Sequence, residues 1–123
     1  MASLADRVFD NGLSILDTEA NAIYITSQEA STYAEATATY ALGNSATISI
    51  GAPSDRGAGG REVTVASLTD GSVTSTGTAT HFAIVDTVNS RLLVTNTLSA
   101  SQSVTSGNTF SLGSFSIGIP DPA

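Results

Sequence analysis

Residues 77–99 decide the fold class: GTATHFAIVD (77–86), then TVN (87–89), then SRLLVTNTLS (90–99). Both ten-residue runs are rich in β-branched and aromatic side chains, which favour a pleated, half-buried surface. A connection as short as Thr87-Val88-Asn89 joins neighbouring strands of opposite direction, so the stretch reads as an antiparallel hairpin. Alternation groups His81 with Ala79, Ala83 and Val85, and Phe82 with Ile84, leaving open which set faces the core.

Working outward, EVTVAS (62–67) alternates with Val63 and Val65 inward, and Thr69-Asp70-Gly71-Ser72 carries a turn signal. Beyond a second turn at Ser106-Gly107-Asn108, the segment TFSLGSFSIGI (109–119) holds apolar residues of two parities. Phe110 and Leu112 share one, whereas Phe115, Ile117 and Ile119 share the other. With a side-chain period of two, one inserted residue keeps all five on the core face, which predicts a β-bulge at Gly113-Ser114.

The N-terminal half is less regular. SLADRVFDNG (3–12) predicts a short helix, capped by Ser3, with Leu4 and Val8 on one face and Gly12 as a left-handed stop. ANAIYIT (20–26) alternates as a strand, with Ile23 and Ile25 on one side and Tyr24 on the other. EASTYAEATATYALGN (29–44) mixes helix-favouring alanines with threonines and tyrosines, and predicts a loop with one helical turn. ATISI (46–50) predicts another short strand. Turn signals at regular spacing between alternating strands point to an antiparallel β-sandwich, jelly-roll-like, with a short N-terminal helix and an irregular arm. The expected organisation is one domain, with the helix and arm in 1–61 and the core strands in 62–123.

Composition limits the chemistry. The 123 residues suit one domain with a modest core. Without cysteine, thiol catalysis, Cys-ligated zinc and iron–sulfur centres are excluded. A net charge of −7, with arginine as the sole basic residue type, repels nucleic acid and anionic lipid. No apolar run approaches the roughly 20 residues of a bilayer-spanning helix, and the acidic N-terminus lacks the basic region of a signal peptide. The expectation is a protein made in the cytoplasm, with neither nucleic acid nor membrane as partner. Serine and threonine, 18 and 17 in number, suit sheets with hydroxyl-bearing outer faces.

The glycine-rich stretch GAPSDRGAGGRE (51–62) looks most like a site. A Walker-type phosphate loop needs a lysine and a following helix, and a dinucleotide fingerprint also needs a helix after its glycines. Here a strand follows Arg61, so the stretch reads as a mobile connector, within which Arg56 and Arg61 could pair with carboxylates on a neighbouring subunit. His81, the one histidine, lies five residues from Asp86 and hence on the opposite face of an ideal strand, which argues against a catalytic pair. Asp17-Thr18-Glu19 lacks the Asp-x-Asp/Asn-x-Asp/Asn-Gly spacing of a calcium loop. No Gly-x-Ser-x-Gly elbow occurs. Tyr33 and Tyr40 could line a groove for a sugar, although ordinary packing accounts for them too. No catalytic, cofactor or metal residue is expected. The candidate assembly contacts are Leu4, Arg7, Val8, Arg56 and Arg61.

Two segments carry a resemblance: LADRVFDNGLSILDTEANAIYI (4–25) and GTATHFAIVDTVNSRLLVTNTLSASQSVTSGNTFSLGSFSIGIPDP (77–122). They resemble small structural proteins from the head-and-tail gene clusters of tailed bacteriophages and prophages. The part LSASQSVTSGNTFSLGSFSI (98–117) is similar to the closing strands of phage appendage and decoration domains. The resemblance implies a non-enzymatic virion component, foremost a capsid decoration (cement) protein on the outer head surface, with the major capsid protein as partner and self-association, as a trimer, expected. Its rivals are a tail-tip, fibre or head-fibre module that recognises a host surface, and a small carbohydrate-binding module; an enzyme comes last.

Overall fold

The computed structural model describes residues 6–46, 48–57 and 60–119, with the backbone alone at 6–10, 99 and 119. The chain is mainly β, its strand pairs antiparallel, with one short helix near the N-terminus, the make-up of a β-sandwich-like fold. The helix α1 spans Asp6–Glu19, and the strands are β1 (Ala22–Thr26), β2 (Ala41–Ser45), β3 (Ser54–Asp55), β4 (Arg61–Val65), β5 (Leu68–Val73), β6 (Gly77–Asp86), β7 (Arg91–Val104), β8 (Thr109–Leu112) and β9 (Phe115–Ile119). They fall into two compact units that interleave along the sequence.

The larger unit, residues 20–48 and 68–112, holds a six-stranded sheet in the order β7-β6-β1-β2-β5-β8. The hairpin expected at 77–99 is its longest pair, β6 against β7, closed by Asp86 opposite Arg91. Strand β1 lies inside the sheet, with Ile23, Ile25 and Thr26 at 0–1% exposure. Both β1 and β2 were expected to belong to an arm, yet they are inner strands of this sheet. Between them the chain is irregular as anticipated, with one π-helical turn at Glu35–Thr39.

Two strand expectations shift. The strand predicted at 46–50 lies at 41–45 instead, because Gly43 and Asn44 pair with Val73 and Ser72 of β5. Ile50 keeps a single bridge to Val65. The predicted turn at 69–72 is not a turn, since β5 runs straight through it with a register shift between Leu68 and Gly71.

The smaller unit, residues 1–19, 49–67 and 113–123, holds the three-stranded sheet β3-β4-β9 and the helix. Helix α1 packs against β4, where Val63 and Val65 are fully buried as the alternation predicted. Gly12 does not stop the helix. Leu13, the next residue, and Leu16, one turn on, are buried, and each contributes about 2 kcal/mol. That exceeds the cost of roughly 1 kcal/mol for a glycine inside a helix. The expected Ser3 cap lies outside the described residues.

The parity change in 109–119 is resolved by a change of sheet rather than a bulge. Strand β8 pairs with β5, and after Gly113-Ser114 the chain continues as β9, which pairs with β4. A strand that leaves one sheet for another no longer has to keep one parity. The turn before β8 forms as expected, with Gly107 at φ 91°, a conformation costly to residues that carry a Cβ.

Candidate functional site

In the smaller unit the described residues of the glycine-rich stretch, 51–57 and 60–62, form the two sides of a small hairpin where a mobile connector was expected. Ser54 and Asp55 pair with Glu62 and Arg61, the Arg56 N–H donates to the Gly60 carbonyl at 3.1 Å, and Gly60 takes φ 89°. The Arg61 guanidinium donates to Asp55 Oδ1 at 2.6 Å and to the Pro53 carbonyl at 3.4 Å. Arg61 is 17% exposed at its side chain and Asp55 88%, so the pair sits at the solvent boundary. Arg56 lays its aliphatic stem over Gly118 of β9. The hairpin thus brings together Arg56 and Arg61 from the expected contact set. Arg7 and Val8 lie on α1 with their side chains outside the described part, and Leu4 lies outside the described residues altogether.

In the larger unit a second cluster forms on the irregular segment. Thr32 and Glu35 make a reciprocal cap: the Glu35 N–H donates to Thr32 Oγ1 at 3.1 Å, while the carboxylate accepts from the Ser31 N–H at 2.8 Å and the Ser31 hydroxyl at 2.7 Å. The Ser31 hydroxyl, then the Ser31 N–H, holds the Glu35 carboxyl below its ordinary range, and the Tyr40 hydroxyl adds a further bond. The Tyr40 N–H closes the π-turn on the Glu35 carbonyl at 2.9 Å. The Glu35 charge in turn raises the Tyr40 hydroxyl. Tyr24, Tyr33, Tyr40 and Leu92 then pack, partly exposed, over a floor of Ala22, Ala30, Ala36, Ala83 and Val85. Burial, with Tyr33 close by, raises the Tyr24 hydroxyl. Sequence reasoning saw Tyr33 and Tyr40 but missed Glu35 and Tyr24; the Thr32-x-x-Glu35 spacing was the available signal for the cap.

His81 is partly buried between Thr26 of β1 and Thr97 of β7 in register. Its Nδ1 lies 2.8 Å from Thr80 Oγ1, and the Thr80 hydroxyl is also 3.0 Å from the Ser27 carbonyl. Asp86 is committed elsewhere. Its Oδ1 accepts from the Val88 and Asn89 N–H groups at 3.0 and 3.3 Å, and its Oδ2 from Asn89 Nδ2 at 2.8 Å.

No family model, curated protein or solved structure matches the chain.

Chemically, the tyrosine cluster offers flat apolar rings beside a fixed anionic acceptor. The arginine hairpin offers cationic groups already engaged close to home. Among the described residues no group of three or more His, Asp and Glu side chains is placed to hold a metal ion, and no helix is long and apolar enough to cross a membrane.

Proposed function

We propose that this chain is a non-enzymatic structural protein of a tailed-phage virion, a decoration protein that binds the outer surface of the head and braces the shell. The observation that carries the reading is the segment 98–117. It resembles the closing strands of decoration domains, and here it runs as the end of β7, a turn at Gly107, β8 and β9. A surface of Ser- and Thr-bearing strands with a net charge of −7 keeps such a protein soluble until it meets its lattice. The partner is the major capsid protein. Self-association as a trimer is what the resemblance implies. Quantitative mass spectrometry of purified particles tests the reading: a fixed ratio to capsid protein, with hundreds of copies per head, supports it. A handful of copies moves the chain to the tail or a fibre, and none removes it from the virion.

A second reading, recognition of a host-surface saccharide, is favoured by the Tyr24–Tyr33–Tyr40 cluster beside Glu35. Aromatic rings stack on the apolar faces of sugars and a fixed carboxylate accepts from their hydroxyls. The cluster would then be a binding surface, on a fibre or on the head itself.

A further inference from the structure

We infer that the outer edge of β9 is an interaction surface for a second copy of this chain, the two β9 strands pairing antiparallel about Ile117. Strand β9 ends the three-stranded sheet, and among the described residues β4 is the only strand paired with it. Its five residues keep unbroken register with β4, from Phe115 opposite Val65 to Ile119 opposite Arg61. An edge strand presents unpaired N–H and C=O groups, and proteins ordinarily blunt it with charge, proline, a bulge or brevity.

The other terminal strands are blunted in this way. Strand β7 carries two register shifts against β6, β8 has four residues against a shifted partner, and β3 has two residues, one of them Asp55. Strand β9, Phe-Ser-Ile-Gly-Ile, carries no charge, no proline and no register shift.

The pattern of β9 also names its occupant. It is nearly the same read in either direction from Ile117. Antiparallel pairing about that residue brings Ile117 opposite its own counterpart, Phe115 opposite Ile119, and Ser116 opposite Gly118. Directly opposed residues share a face, so apolar positions meet apolar positions and small ones meet small ones. Phe115 and Ile117, partly buried in the single chain, lose further exposure in the pair. Strand β9 itself carries no charged residue, so the pairing sets no like charges directly opposite one another. The join is twofold and makes one six-stranded sheet from two three-stranded ones. It does not depend on the virion reading, and its symmetry differs from the trimer which the resemblance implies.

Light scattering on the purified full chain, across a range of concentrations, reads the copy number directly. Twice the chain mass is expected; a monomer throughout, or three copies, overturns the inference. The chain has no cysteine, so single cysteines report proximity without background. Ser116→Cys on β9, cross-linked with a short bis-maleimide, should form covalent dimer about tenfold faster than Ser111→Cys on β8, because pairing holds the first thiols at high effective concentration. Both positions are exposed, so both variants should fold, which circular dichroism checks. Equal rates at the two positions overturn the inference even if the wild-type chain is a dimer.

Discussion

The ring of Phe110 in β8 lies directly against the Cα of Gly71 in β5, its partner in register, leaving no room for a Cβ. Phe110 is itself buried and has little freedom to yield. This contact explains why Asp70-Gly71 is not a turn: the glycine is there for close approach, in an extended strand. Gly71→Ala should therefore destabilise the chain by about 1–3 kcal/mol, the usual cost of overpacking. Denaturant unfolding measures it, and an unchanged midpoint would remove the contact from the account.

Gly12 makes the opposite prediction. It is exposed and lies inside α1 rather than at its end. Gly12→Ala should raise stability by about 0.5–1 kcal/mol through helix propensity alone. A lowered melting temperature would mean that the helix ends at Gly12 after all.

Thr26 in β1 is completely buried, and among the described residues its hydroxyl has no hydrogen-bond partner. A buried polar group without a partner costs about 1–3 kcal/mol. Thr26→Val keeps the shape and removes the hydroxyl, so the melting temperature should rise. A drop would reveal a partner for the hydroxyl.

Asp86 ties stability to acid. The Asn89 side-chain amide first, then the Asn89 and Val88 N–H groups and the Arg91 charge, hold its carboxyl below the ordinary aspartate range, against the opposing effect of burial. The Asn21 side chain braces the same turn by accepting from the Thr87 N–H at 2.9 Å. A carboxyl depressed in the folded state binds its proton more readily when unfolded, so its stabilisation is full above the ordinary value of about 4. It is lost as pH falls from there through the lower folded value. Wild type should melt above Asp86→Asn at pH 7, the gap closing as pH drops below about 4. A gap independent of pH would assign the effect to packing.

The tyrosine cluster separates the two functional readings. If it binds saccharide, Tyr33→Ala and Glu35→Gln should each weaken glycan-array binding by about tenfold or more, as stacking and a charged hydrogen bond are each worth more than 1 kcal/mol. Binding to heads should be untouched. If the cluster is packing alone, no glycan is retained by the wild-type chain, and Tyr33→Ala shows only a lowered melting temperature.

The alternation at 62–65 and 77–99 determined that these segments are strands, and the buried Val63 and Val65 and the β6–β7 hairpin follow from it. A side-chain period of two is a local property, readable wherever one face is buried. The Thr32-x-x-Glu35 cap was equally local and equally legible. What only the tertiary structure decided is which strands pair. Gly71 reads as a turn until Phe110 is placed on it, Gly12 reads as a stop until Leu13 and Leu16 find β4, and the two parities of 109–119 read as a bulge until β8 and β9 join different sheets. The tyrosines too became a cluster only when β1, the π-turn and Leu92 of β7 met over the alanine floor. Each of these turns on contacts between residues far apart in the chain, whose energies are set by burial and close approach, and a local pattern carries no information about either.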